Sequence, residues 1–515
     1  MKNKIEIYDT TLRDGTQGLD FNLTAQDKVA IAKRLDEFGV DFIEGGWPGS
    51  NPKDMEFFEM MKTVSLKTAQ LSAFGSTRHR NNLAEQDPNL LALLEAETPV
   101  VTIFGKTWDL HVTEALGATL EQNLEMIESS VAFMKSEGKT VIYDAEHYFD
   151  GYKADPEYAQ KTLQAALDGG ADRLVLCDTN GGSLPSFVAA RVEQAKQEFD
   201  CPIGVHTHND CELGVANSLA GVKAGAVHVQ GTINGYGERC GNANLTSIIP
   251  NLAIKMGYDQ SQDLEQLREI SHYIDERANL QPNIRAAYVS DSAFAHKGGI
   301  HVSAVNKNPD TYEHIKPELV GNKRRILLSD LSGRANVLAK ADEYGEVVDS
   351  KDPAIRAIVD KMKALENRGY SFEGAEASFQ LMSKKVKGEY SPYFKLHGFN
   401  VVIVKRETDK KPIAEATVKL DVGDKLEHTA ASGDGPVNAL DRALKKALTR
   451  FYPSLAELEL SDYKVRVLSG VESGTKSVVR VQVETTDKID SWGTVGASTD
   501  IINASYEALI DAMEY

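Results

Sequence analysis

Two histidines one residue apart, His206 and His208 in PIGVHTHND, open the reading of this chain because their spacing suits metal ligation. Side chains of an extended strand alternate with period two, so both imidazoles project to the same side. Asp14 in TTLRDG and Asn242 in GYGERCGN add a carboxylate and an amide oxygen. Together the four form a mixed O/N donor set suited to a divalent ion such as Mg²⁺, Mn²⁺ or Zn²⁺, with positions left for water and a second ligand. An HxH pair alone is weak evidence, since either histidine can be a satisfied core residue. The metal reading depends on the four residues converging in space.

Other polar residues at the ends of apolar runs are Arg13, Glu44, Arg78, Tyr143, Glu146 and Thr179. Arg13, next to the metal aspartate, can pair with a carboxylate or steady a developing enolate oxygen; the plainer role is a salt bridge that seals the rim. Glu146 can serve as a general base or merely orient a neighbour. His296 and His301 are five residues apart, a spacing as compatible with structure as with catalysis. The run Lys323-Arg324-Arg325 is a candidate polyphosphate contact, and a solvated helix end is the favoured alternative. The glycines of GYGERCGN have the spacing G-x-G-x-x-x-G and follow a late strand, so they read as a turn holding Asn242 and not as a dinucleotide loop.

The elements that must position these groups repeat one theme. Apolar or β-branched runs begin at Ile5, Asp41, Thr68, Pro99, Thr140, Asp172, Pro202 and Val227, and helical stretches separate them. In TAQDKVAIAKRLDEFG, Thr24 is the expected N-cap, Val29, Ile31, Ala32, Leu35 and Phe38 mark an apolar face, and Gly39 ends the helix. Eight strand-helix units in about 250 residues predict a closed (β/α)₈ TIM barrel; a doubly wound sheet usually shows fewer strands and an early glycine-rich turn. Active sites of such barrels sit at the C-terminal rim, where Asp14, His206 and His208 all fall, and strands 7, 8 and 1 become neighbours on closure.

The rhythm stops near residue 275. The next hundred residues read as a helical connector around the Gly-, Pro- and Asn-rich stretch GGIHVSAVNKNPDTYEH. From about Ser391 alternating strands lead into DGPVNALDRALKKALTRF, and KVRVLSG, SVVRVQVET and DIINASYEALIDAM repeat the pattern, with Asn438 and Asn503 at matching helix starts. The expected domains are a barrel over 1–275, helical linker subdomains over 276–390, and an α+β module over 391–515 with an internal ββα duplication.

Composition excludes several classes. The formal charge is -19, from 76 acidic against 57 basic residues, the opposite of a nucleic-acid footprint. No stretch approaches the roughly 18 apolar residues of a membrane helix, so no membrane partner is expected. Four cysteines without a CxxC pair fit a reducing compartment, and the N-terminus lacks the apolar core of a signal peptide, so the sequence reads as cytosolic.

Taken as a set, TTLRDGTQ, HTHND, GYGERCGN and HKGGIHVSAV resemble the barrel enzymes that include 2-isopropylmalate, homocitrate and citramalate synthases, over nearly the whole chain. Within that family IEGGWPGSNPKD and YDAEHYFDGYK are similar to the citramalate synthase type, and the C-terminal module resembles the regulatory domain of the longer members. The resemblance implies a Claisen condensation of acetyl-CoA with pyruvate. Asp14, His206 and His208 would hold the divalent metal ion, with Asn242 as a nearer or weaker fourth ligand. Arg13 would steady the oxygen that becomes negative, and Thr179 the pyruvate carboxylate. Glu146, with His301 and Tyr312 from the connector, would handle the acetyl proton and the water. Tyr143, Phe104 and Trp47 would shorten the pocket to exclude branched 2-oxo acids. The resemblance further implies a homodimer and isoleucine as effector of the C-terminal module.

Overall fold

Alternating strands and helices bury both faces of each strand, either in a closed barrel or in an open sheet covered on both sides. A computed structural model of the chain describes residues 4–329, 332–344, 352–407, 411–468 and 477–515. It divides into two compact units, Met1–Phe294 with Ile315–Lys323, and Ala295–His314 with Arg324–Tyr515.

The first unit is the expected barrel. Its strands are β1 (Glu6–Asp9), β2 (Phe42–Gly46), β3 (Gln70–Ser76), β4 (Val100–Lys106), β5 (Thr140–Glu146), β6 (Arg173–Asp178), β7 (Ile203–Thr207) and β8 (His228–Gly231), parallel in sequence order, with β1 closing on β8. The helix Ala25–Phe38 shows why the local sequence works: Thr24 and Asp27 form a capping box, and Gly39 ends the helix at φ 98°. Its face Val29, Ile31, Ala32, Leu35 and Phe38 is buried, as its spacing predicts.

Period-two alternation then stacks the barrel interior in layers. Near the strand starts Arg173 donates two 2.6 Å hydrogen bonds to Glu6, and the His228 Nδ1 lies 3.2 Å from the same carboxylate. Above them Tyr8, Phe42, Val100, Ile142 and Val175 form an apolar plug. Higher still the interior turns polar. The Tyr8 hydroxyl bonds Glu44 at 2.6 Å and Thr102 at 2.7 Å, and Ser72 bonds Thr102 at 3.0 Å. Buried polar groups persist in a core only when paired in this way. The plug beneath and the rim above leave one open end for chemistry.

The second unit begins with two-residue strands β9 (Ala295–His296) and β10 (Arg325–Ile326), which pair in parallel. Its C-terminal part holds two antiparallel three-stranded sheets. The first is β11 (Lys395–Val404), β12 (Ile413–Val422) and β13 (Lys425–Gly433); the second is β14 (Glu459–Val467), β15 (Val479–Thr486) and β16 (Ser491–Ser498). Helices Pro436–Leu448 and Ile501–Glu514 follow the two sheets, with Asn438 and Asn503 each at the third helical position. The repeat is therefore βββα, one strand longer per half than the ββα pattern expected. The extra strands, KLEHTAASG and SWGTVGAS, are rich in small residues and lack the bulky alternation that signals a strand. Of the predicted strand KVRVLSG, Ser469 and Gly470 lie outside the described residues.

Candidate active site at the barrel mouth

Inward-facing positions, followed up each strand, lead to the same corner. On β5 these are Ile142, Asp144 and Glu146; on β7 the step of two carries His206 to His208, just past the strand end. The turn after β1 is pinned by Gly15 N–H donating to the Thr10 carbonyl at 3.0 Å and by the Thr11 hydroxyl on Asp9 at 2.9 Å. That turn brings Arg13 and Asp14 over the mouth.

Asp14, His206 and His208 are buried and offer ligand atoms that all lie within 4.8 Å of one another. The two Nε2 atoms stand 3.2 Å apart, and Asp14 Oδ2 lies 3.4 Å from one and 3.8 Å from the other. Two imidazole nitrogens sharing an ion at about 2.1 Å each are separated by roughly 3 Å, so the spacing fits a common cation. Asp14 Oδ1 and Asn242 Oδ1 are buried without a hydrogen-bond partner among the described residues, and an unpaired buried oxygen costs about 1–3 kcal/mol unless something else satisfies it. Asn242 is brought beside His208 by an isolated backbone bridge. The glycines of GYGERCGN make that approach possible: Gly241 has φ +91°, and a Cβ there would meet the Gly235 carbonyl oxygen at 1.9 Å.

The electrostatics suit a cation. Burial alone would raise the Asp14 carboxyl, but Arg13 and the two histidines hold it well below the usual carboxylate range. Burial, reinforced by neighbouring His206, pushes His208 down to about 4, which leaves a neutral imidazole able to act as a ligand. His206 Nδ1 lies 2.8 Å from Gln230 Oε1, and Gln230 Nε2 donates to Asp144 at 2.9 Å. Burial pushes Asp144 up to about 7 against the opposing pull of His206.

Around this cluster the mouth holds a cavity of about 190 Å³ whose lining includes Arg13, Trp47, Phe74, Phe104, Glu146 and Thr179. Arg13 donates through Nε to Glu44, approaches Asp14 at 3.3 Å and stands 3.7 Å above the Phe74 ring. Phe74 and Phe104 stack at 5.2 Å, and Trp47 meets both edge-on. Trp47 is fixed by its indole N–H on Asn89 at 2.7 Å and its backbone N–H on Asp54 at 2.9 Å. Glu146 pairs with Lys106. Thr179 Oγ1 accepts from the His147 N–H at 2.9 Å, which leaves its own O–H to donate into the pocket.

Residues 4–274 match the HMGL-like family model, 288–370 the homocitrate synthase post-HMGL domain-like model, and 373–515 the LeuA allosteric (dimerisation) domain. An (R)-citramalate synthase of Geobacter sulfurreducens is 55% identical over 99% of this chain and 97% of its own length. One from Aquifex aeolicus is 53% identical over 100% and 98%. The chain belongs to the HMGL-like family, on the branch that holds these citramalate synthases. A probable 2-isopropylmalate synthase of Methanopyrus kandleri is 33% identical over 99% of this chain and 98% of its own length.

Most of the residues singled out for this family meet at one place. Arg13, Asp14, Glu146, Thr179, His206, His208 and Asn242 belong to the mouth of the first unit. His301 and Tyr312 belong to the second unit, where their rings stack at 4.1 Å. Tyr143 is a correction: it is fully buried in the layer between barrel and helices, its hydroxyl packing where a Cβ on Gly105 would stand. Residues 143 and 146 are three apart on a strand and must face opposite sides, so Tyr143 cannot line the pocket with Glu146. Arg78 is structural, bound to Ser129 at 2.7 Å and Glu125 at 3.0 Å. Arg324 makes a bidentate pair with Glu313 at 2.6 Å, and His296 meets the same carboxylate at 3.1 Å. Arg324 lies just before β10 and not at a helix end. Phe74, Lys106, Asp144 and Gln230 were not foreseen. The signal for Gln230 was present in VHVQG, where His228 and Gln230 repeat the inward spacing of His206 and His208.

Proposed function

We propose that the chain condenses acetyl-CoA with pyruvate and water to give (R)-citramalate and free CoA. The observation that carries this reading is the convergence of Asp14, His206 and His208 with Arg13 in a pocket narrowed by three aromatic rings. A proton leaves the acetyl methyl, the carbanion forms a bond to the pyruvate keto carbon, and the keto oxygen takes up a proton. Water then cleaves the thioester, and the thiol departs.

Asp14, His206 and His208, with Asn242 beside them, would hold a divalent ion such as Mg²⁺, Mn²⁺ or Zn²⁺. When bound, that ion supplies Lewis-acid polarisation of the keto carbonyl. Arg13, held rigid by Glu44 and Phe74, donates to the oxygen that gains negative charge, which preorganises the site at little reorganisation cost. Thr179 donates its hydroxyl to the pyruvate carboxylate. Glu146, oriented by Lys106, acts on the methyl proton and the attacking water, for which His301 and Tyr312 are further candidates. Thioester α-protons are weakly acidic, so base and oxyanion donor are both needed. Trp47, Phe74 and Phe104 limit the length of the 2-oxo acid. A second cavity of about 380 Å³ adjoins across Phe104 and offers room for the remainder of the thioester, with Arg80 at its edge.

The division of labour follows the sequence: residues 1–275 catalyse, 276–390 connect and contribute His301 and Tyr312, and 391–515 sense an amino acid and mediate a homodimer. The match to a dimerisation domain supports the last role. Four free cysteines suit the cytosol. Isoleucine is the proposed effector; undiminished thiol release at saturating isoleucine would remove that part of the reading. The catalytic part is tested by thiol release from acetyl-CoA with pyruvate, 2-oxobutyrate, 2-oxoisovalerate and 2-oxoglutarate. The highest kcat/KM is expected with pyruvate, and a higher value with any of the others overturns the assignment.

A further inference from the structure

Gln230 sits on β8 with its amide bridging the His206 imidazole at 2.8 Å and the Asp144 carboxylate at 2.9 Å. Among the described residues Asp144 is not one of the Asp14, His206 and His208 cluster. Gln230 and Asp144 are both buried on the inner face of the barrel.

From this geometry we infer that Gln230 and Asp144 form a positioning relay that fixes the tautomer of His206 and thereby prepares the metal site. The inference rests on the reading of Asp14, His206 and His208 as ligands. An ionised carboxylate only accepts hydrogen bonds, so in that form Asp144 draws the NH₂ end of the Gln230 amide toward itself. The amide oxygen is then forced toward His206 Nδ1, which must carry the proton. The lone pair is left on Nε2, the atom that faces Asp14 and His208. Without Asp144 the amide is free to turn over and present NH₂ to Nδ1, which selects the wrong tautomer. Partners of this kind orient a ligating histidine, and their loss weakens metal affinity by about 10- to 100-fold.

The relay makes a demand that mere packing does not. Asp144 sets the tautomer only through Gln230, and what remains is its direct charge interaction with His206, so its removal costs far less once Gln230 is gone. Mn²⁺ titration of the full chain at pH 8, followed by the electron paramagnetic resonance of the free ion, reads the affinity directly. Gln230→Leu and Asp144→Leu are each expected to bind Mn²⁺ about 10- to 100-fold more weakly, and the double variant far less weakly than the product of the two losses. Asp144→Asn, whose amide oxygen can still accept from Gln230, is expected to stay near wild type. Wild-type affinity in Gln230→Leu, or additive losses in the double variant, overturns the relay. A wild-type chain that takes up no Mn²⁺ overturns both the relay and the site on which it rests. Should the leucine variants fail to fold, ¹⁵N-histidine spectra of the metal-free wild type decide: His206 is expected as the Nδ1–H tautomer, and the Nε2–H tautomer contradicts the relay.

Discussion

The Arg13 guanidinium stands 3.7 Å above the centre of the Phe74 ring while Glu44 holds its Nε from below. The ring quadrupole and the buried carboxylate both favour the cation, and together they leave it little freedom to move. A planar guanidinium meets both demands, whereas a lysine ammonium satisfies at most one.

Arg13→Lys therefore keeps the charge and loses the geometry. Steady-state kinetics should show kcat reduced by about 10²- to 10³-fold with the KM for pyruvate changed far less, as for loss of one oxyanion donor. A kcat within a few-fold of wild type would assign Arg13 to sealing the rim.

Arg80 is exposed at the edge of the second cavity and has no ion pair among the described residues. Such a cation suits the phosphates of an acyl-CoA. Arg80→Ala should raise the KM for acetyl-CoA several-fold and leave that for pyruvate unchanged, with no penalty when a phosphate-free acetyl thioester is the donor. An equal penalty with both donors would place the phosphates elsewhere.

Acid stability should be set partly at the closed end of the barrel. Burial would raise Glu6, but Arg173 and His228 overcome it and hold the carboxyl at about 2, below its ordinary 4.5. A depressed folded value means that protonation costs the folded state. The contribution is fully present above pH 4.5 and disappears as pH falls toward 2. Burial also keeps His228 below its ordinary value, so protonation of the unfolded chain below about pH 6.5 erodes stability in the same direction. Glu6→Gln should cost on the order of 1–2 kcal/mol at pH 7, after discounting for partial exposure, and nearly nothing at pH 2 in urea unfolding. A loss independent of pH would mean that the carboxylate charge is not what matters.

Much of the barrel was legible because its information is local. Thr24, Gly39 and the periodic apolar face of Ala25–Phe38 fix one helix, and strand starts recur at regular intervals. The donor set Asp14, His206 and His208 was legible for the same reason, since rim position and period-two spacing are both written in the chain. Position near a strand end does not place Tyr143 in the pocket, because the parity of the strand turns it to the face opposite Glu146. The third strand of each C-terminal repeat was missed because Ala, Gly, Ser and Thr carry little alternation, and Gln230 because its inward spacing from His228 in VHVQG does not show which groups it bridges. Its meaning depends on Asp144, 86 residues away.

The account stands most directly on a paired count of bound divalent ions per chain and of pyruvate-dependent thiol release, in wild type and in Asp14→Ala. Wild type should hold one ion, lose activity when a chelator removes it and recover when Mn²⁺ returns, while Asp14→Ala should neither retain the ion nor release thiol. Undiminished thiol release from the ion-free wild type, or ion binding by Asp14→Ala at wild-type strength, would contradict it.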